Sequence, residues 1–182
     1  MDFLISVGAI LLLESMGDIV RSPEEINRRF GVTGLSAIFR WSTQDVGDGD
    51  LVVWEAPTSG YAEAFRQIRA NLQFATAAHP GGLLVVSSAE PGEEKSIIPA
   101  NLAVALAQSG KRVVLVDADL RRPTLHRLLK VEQTEPGLSN LLADMDVDFS
   151  YVIQPTDVEG VDIIASGPSP PNPAELLGSP RM

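Results

Sequence analysis

Two short apolar runs with a helix-periodic stretch between them constrain this chain more than any other feature. Leu83-Leu-Val-Val-Ser87 follows Pro80-Gly-Gly82, and Val113-Val-Leu-Val116 follows Gly110-Lys-Arg112. Continuous β-branched runs bounded by turn residues predict strands buried on both faces. Between them, Ser96 to Ser109 carries Ala, Leu and Val at helical spacing and stops at Gly110, the usual residue after a helix end. Strand, loop, helix and strand within about 35 residues make a βαβ unit, so the two strands are expected to be parallel. A third run, Val161-Asp-Ile-Ile-Ala165, predicts another parallel strand ahead of the Pro-rich Gly167–Pro173. With 45% apolar residues and a mean hydropathy of +0.11, the chain can bury a real core.

The loop after the first run reads Ser87-Ser-Ala-Glu-Pro-Gly-Glu-Glu-Lys-Ser96. A loop that opens a helix after a buried strand turns backbone N–H groups and the positive helix end toward an anion. Lys95 adds a point charge and Ser96 a hydroxyl suited to Mg²⁺. The match to the G-x-x-x-x-G-K-[ST] phosphate loop is imperfect, because Ala89 and Glu94 stand where glycines belong. The second run ends in Val116-Asp-Ala-Asp119, and a strand period of two puts Asp117 and Asp119 on one side. Ligands of open α/β sheets sit beyond the carboxyl ends of the strands, so loop and carboxylates are expected to converge there. Two carboxylates facing a triphosphate need a divalent cation between them, which implies Mg²⁺. The competing reading is a pair of solvated strand-end aspartates.

A net charge of −10 and a pI near 4.6 argue against a nucleic-acid binder, since phosphate neutralisation needs surplus Lys and Arg. The absence of cysteine removes disulfides, thiolate metal sites and thiol nucleophiles, and suits a reducing setting. Phe3–Leu13 is an apolar run of about 11 residues, against the ~20 that span a bilayer. Asp2 before it and Glu14–Asp18 after it do not fit a secretory signal. It reads either as a buried stub or as the end of a transmembrane helix. Arg21–Phe30 carries a helix start at Ser22 and Pro23, with Glu25 three residues after Ser22. Residues 41–60, rich in Ser, Thr, Gly and Asp, read as a linker. Tyr61–Ala77 reads as a helix with Ala64, Phe65, Ile68, Leu72 and Ala75 on one face.

An ordered set of motifs carries a family resemblance: Tyr61–Phe74, the loop at Pro91, Asn101–Ala107, Val116-Asp-Ala-Asp-Leu-Arg-Arg-Pro123, Pro136-Gly-Leu-Ser139 and Gly167–Ser179. Together they resemble the bacterial tyrosine kinases fused to polysaccharide copolymerases, and residues 1 to 40 look like that family's segment leaving its second transmembrane helix. The resemblance implies an α/β, P-loop NTPase-like fold with a mainly parallel sheet flanked by helices, preceded by a membrane-proximal helical segment. The implied layout is a membrane-proximal segment over 1–40, a linker over 41–60 and a partial kinase domain over 61–182.

The implied activity is ATP-dependent tyrosine autophosphorylation, controlling capsular or exopolysaccharide chain length and export at the cytoplasmic face of the plasma membrane. Without an anchor at its start, the chain would be cytoplasmic. Pro91, Gly92, Glu93, Glu94, Lys95, Ser96 and Ile97 would cradle ATP. Lys95 would hold the β and γ phosphates. Ser96, Asp117 and Asp119 would hold Mg²⁺, with Asp119 also the candidate for accepting or orienting the tyrosine hydroxyl proton. Glu63, Arg66 and Arg69 match an E-x-x-R-x-x-R pattern, its i, i+3, i+6 spacing read as one outward helical face, that would join subunits into a ring. The polysaccharide export machinery is the implied partner.

Three departures weaken the kinase expectation. Glu94 replaces a glycine, and a carboxylate ~4 Å from a phosphate charge at an effective dielectric of ~20 costs about 4 kcal/mol. Pro99 threatens an early helix hydrogen bond. No further apolar run ending in Asp and no tyrosine cluster appear, since Tyr61 and Tyr151 are the two tyrosines. The alternative is a non-catalytic oligomerisation or partner-binding remnant.

Overall fold

The computed structural model describes residues 23–38, 50–77, 82–89, 95–133, 136–144 and 146–182. The chain divides into two units, 1–37 and 38–182. Within the first, α1 spans Pro23–Phe30. A proline suits its first position, an Arg29–Glu25 ion pair of 2.8 Å spans one turn, and Gly31 ends it at φ +67° while donating to the Asn27 carbonyl. Phe3–Leu13 lies outside the described residues. Among those described, no helix is long and apolar enough to cross a membrane.

The second unit starts with a short helix, α2 (Val52–Glu55), inside the stretch read as linker. Leu51, Val52 and Val53 are buried, so this piece belongs to the core of the unit. Helix α3 (Gly60–Ala75) is capped by Ser59, whose hydroxyl accepts from the Ala62 N–H. Its buried residues Ala62, Phe65 and Ile68 recur at helical spacing.

Helix α4 (Ile97–Ala107) is buried from Ala100 through Ala105. Pro99 costs this helix nothing, because the first helical bond is donated by Ala100 to Ser96, and position 99 falls among the N–H groups that lack a partner in any helix. Asn101, fully buried in α4, is satisfied at both ends. Its carbonyl accepts from Val53 N–H, and its amide donates to the Asp50 and Ile97 carbonyls. Gln108 adds a bond to the Val53 carbonyl. Three of these bonds, those to Val53 N–H and to the Asp50 and Val53 carbonyls, dock α2 and Asp50 ahead of it on α4.

Three strands form the sheet: β1 (Val113–Val116), β2 (Ile153–Pro155) and β3 (Val161–Ile164), in the order β1-β3-β2. β1 and β3 run parallel with Val113 opposite Val161, as the third apolar run led one to expect. β2 is antiparallel to β3, so the sheet is mixed. Between β1 and β2 lie three short helices, α5 (Leu125–Leu128), α6 (Leu138–Ala143) and α7 (Phe149–Val152). After β3 comes α8 (Pro173–Leu177). Leu120, Leu138, Leu142, Val152 and Ile164 pack as one cluster, with Leu176 and Leu177 of α8 against it.

The first predicted strand is corrected. Residues 82–88 have no strand partner among the described residues, and Leu83, Leu84 and Val85 are exposed, Leu83 at 93%. A strand buried on both faces needs ladder neighbours and covering layers. Among the described residues none pairs with this run. The parallel pairing falls instead between β1 and β3.

Candidate functional site

The site begins where β1 stops pairing. Asp117 N–H still donates to the Ile164 carbonyl, and its side chain, 2% exposed, turns back on the loop that follows. One carboxylate oxygen accepts from Asp119 N–H at 3.2 Å. The other accepts from Thr124 N–H at 3.1 Å and Leu125 N–H at 3.0 Å. Aspartates favour such local backbone bonds, and here they fold residues 118–125 into a fixed turn. Burial pushes the Asp117 carboxyl above the usual carboxylate range. The three backbone donors pull it down and Asp119 beside it adds to the rise.

Asp119 projects further out. Its Oδ1 accepts from the N–H groups of Arg121 and Arg122, and its Oδ2 accepts from Lys95 Nζ at 3.0 Å. Partial burial would raise this carboxyl, but the Lys95 hydrogen bond and the Arg122 N–H outweigh it and hold the group low. Lys95 and Asp119 are both about one-third exposed, so solvent screens the pair. Ser96 and Ile97 are half-buried at the start of α4, and the Ser96 hydroxyl accepts from Thr124 Oγ1. At one end of β1, Lys95 thus meets Asp119 directly, and Ser96 meets Asp117 through Thr124. Pro91, Gly92, Glu93 and Glu94 lie outside the described residues.

No group of three or more acidic or histidine side chains that could hold a metal occurs among the described residues. A cation at this site would take most of its ligands from phosphate oxygens and water, as Mg²⁺ does in nucleotide sites. The exposed side of Asp119 and the Ser96 hydroxyl fit that arrangement.

The ParA family model, described as NUBPL iron-transfer P-loop NTPase, matches residues 81–172. The tyrosine-protein kinase YwqD of Bacillus subtilis (strain 168) is 41% identical over 133 residues, covering 73% of this chain and 55% of that protein. Among solved structures, the kinase domain of the Escherichia coli tyrosine kinase ETK aligns with a TM-score of 0.78 at 32% identity, over 87% of this chain and 65% of the other. The BceF tyrosine kinase domain aligns with a TM-score of 0.76 at 33% identity, over 89% of this chain and 68% of the other. The chain belongs to the bacterial tyrosine kinase family.

Its fold is that family's P-loop NTPase-like α/β fold, and it spans about half the length of YwqD. Set against the kinase motifs, the trio on α3 does not behave as one face. Glu63 is exposed and pairs with Arg66 at 3.0 Å, and Arg66 also donates to the Pro57 carbonyl. Arg69 turns inward and donates to the Ala105 carbonyl in the last turn of α4 at 3.0 Å, with its Nε buried and unpartnered. Six residues at 3.6 per turn rotate a side chain by two-thirds of a turn beyond the first full one, so Arg69 cannot share the Glu63 face.

Two other kinase motifs prove to be one structural joint. Leu138 N–H donates to the Ala165 carbonyl, Ser139 N–H to the Ser166 carbonyl and Ser139 Oγ to the Pro168 carbonyl. A Cβ on Gly137 would lie 2.4 Å from Gly167 N, so glycine is required where these segments cross. Thr124 escaped the sequence reading. The signal was an aspartate followed within eight residues by Pro-Thr at a helix start, the pattern of a side chain capping its own turn.

Proposed function

We propose that this chain is the nucleotide-binding part of an autophosphorylating protein-tyrosine kinase that uses Mg²⁺-ATP. The observation that carries the reading is the 3.0 Å contact between Lys95, at the head of α4, and Asp119, at the end of β1, held by a turn that Asp117 organises. The phosphate-side cation and the strand-end carboxylate are where a transferred phosphoryl group and its acceptor hydroxyl would meet.

Lys95 holds the β and γ phosphates by leaving Asp119. As it leaves, Asp119 loses its chief charge-stabilising partner and becomes more basic at the moment a base is needed. The incoming tyrosine oxygen bonds to the γ-phosphorus, the bond from that phosphorus to the β–γ bridging oxygen breaks, and the phenolic proton passes to Asp119. Bound Mg²⁺ supplies neutralisation of the phosphate charge, with Ser96 as a ligand and Asp117 on the metal side. Pro91 through Glu94, with Ile97, complete the phosphate cradle, and Glu94 weakens it by like charge.

By resemblance to the family, the kinase acts on capsular or exopolysaccharide chain length and export at the cytoplasmic face of the plasma membrane. Residues 1–40 are then the membrane-proximal segment and 61–182 the kinase portion, with Leu51–Val53 of the intervening 41–60 packed into its core. Exposed Glu63 and its half-buried partner Arg66 are the candidates for contact with a second subunit in a ring. A second reading is favoured by the exposure of Leu83, Leu84 and Val85 just ahead of the phosphate loop. A chain whose loop is not held by a paired strand would act as a non-catalytic partner-binding module.

Calorimetry of Mg²⁺-ATP with wild-type chain and Lys95→Met separates the two. The kinase reading predicts binding that the substitution weakens at least tenfold. No binding by a folded wild-type sample contradicts it.

A further inference from the structure

Ser96 stands at the N-cap of α4, a position where serine ordinarily accepts a backbone N–H from its own helix. Here it makes no such bond, and its backbone is helical at φ −78°, ψ −25°. Its hydroxyl is instead held by Thr124, whose Oγ1 donates to Ser96 Oγ. Thr124 is in turn fixed by its N–H to Asp117 Oδ2 at 3.1 Å, the oxygen that also receives Leu125 N–H. Asp117 is buried at the end of β1 and anchored to β3 through Ile164. A chain of contacts therefore runs from the sheet through Asp117 and Thr124 to a hydroxyl that its own helix does not use.

We propose that Thr124 is a positioning residue that sets the Ser96 hydroxyl for the cation accompanying a bound nucleotide, with Asp117 acting through Thr124. The inference rests on the nucleotide reading of the site and adds to it a residue outside the phosphate loop. Ser96 Oγ accepts one hydrogen bond from Thr124, which leaves a lone pair for a cation and its own proton for a phosphate oxygen. An unheld serine distributes over three staggered rotamers, of which one presents the oxygen correctly, so holding it is worth about threefold in cation-dependent affinity. Loss of the hydrogen bond itself extends the effect toward about tenfold. Asp117 Oδ2 accepts two backbone N–H bonds and Oδ1 accepts one, which leaves Oδ1 a lone pair toward the metal side.

The test uses the full chain and the variants Thr124→Val, Thr124→Ser, Ser96→Ala and the Thr124→Val/Ser96→Ala pair. Thr124→Val keeps the shape and the backbone N–H that Asp117 accepts. Two quantities are read: the Ser96 χ1 couplings by NMR without nucleotide, and ADP affinity by calorimetry with Mg²⁺ and with EDTA.

One Ser96 rotamer is expected in the wild type and in Thr124→Ser, and rotamer averaging in Thr124→Val. The Mg²⁺-dependent part of ADP affinity should fall about three- to tenfold in Thr124→Val and return in Thr124→Ser. The EDTA value should stay unchanged, and the pair should be no weaker than Ser96→Ala alone. A Ser96 that keeps one rotamer in Thr124→Val overturns the proposal, as does an equal loss with and without Mg²⁺. Wild-type chain that binds no ADP overturns the nucleotide reading and the cation-directed role together. The nucleotide-free couplings tell that failure apart from failure of the contact.

Discussion

The carboxyl end of β1 and the segment Gly82–Ala89, which leads into the loop expected to converge with it, are built very differently. At the end of β1, Asp117 is buried, both its oxygens are occupied, and every residue of the strand has a partner in β3. Across residues 82–88 there is no ladder with any described residue, and Leu83 and Val85 are exposed. The first region is closed by contacts within about ten residues of itself plus one parallel neighbour. The second needs strands on both sides to bury an all-apolar run. Local hydrogen bonding therefore holds the acidic half of the site without contacts from residues 82–88.

Stability measurements break or sharpen this contrast. Ile163→Ala, at a fully buried position in β3, is expected to cost about 2–5 kcal/mol in urea unfolding. A cost below about 1 kcal/mol would mean that the sheet is not the stable half. Gly137→Ala forces a Cβ against Gly167 N, and about 1–3 kcal/mol is expected from that overpacking. Because the neighbour is backbone on both sides, relief by a side-chain rotation is not available.

Acid titration probes the site itself. The lowered Asp119 carboxyl contributes stability that is present above the ordinary carboxylate pKa and lost as pH falls through its depressed folded value. Asp117 has the opposite sign. With its folded pKa raised by burial, its contribution is largest in acid and declines as pH rises from the ordinary value through the raised one. Asp119→Asn should therefore flatten the acid limb of the wild-type stability profile, and an unchanged limb would contradict the Lys95–Asp119 pair. The smallest effect belongs to Leu83→Asp, expected within about 0.5 kcal/mol of wild type. Amides of residues 83–87 should exchange far faster than those of β1. A large destabilisation or strong protection there would show that the segment is paired in solution.

Much of this was legible in the sequence, and the misses share a cause. The helices α1, α3 and α4 and the strands β1 and β3 were visible because their apolar spacing or their glycine stops are local signals. The meeting of Lys95 with Asp119 followed from the rule that sites lie beyond strand carboxyl ends. What the sequence hid depends on distant partners. Leu83–Ser87 reads as a strand by its own residues, yet pairing is a property of neighbours. Leu51-Val-Val53 was absorbed into a polar linker, although its burial depends on Asn101 and Gln108 of a helix some 50 residues later. Arg69 was assigned outward by motif, whereas helical rotation aims it at Ala105. Thr124 was missed because its significance lies in touching both Asp117 and Ser96 at once.

The central claim is that these residues form a working nucleotide site despite the unpaired segment ahead of the loop. Calorimetric titration of the purified chain with Mg²⁺-ATP, repeated on Lys95→Met, tests it most directly. Saturable binding by the wild type with at least a tenfold loss in Lys95→Met is the predicted result. A folded chain that binds no nucleotide, or that binds equally well without Lys95, would contradict the account.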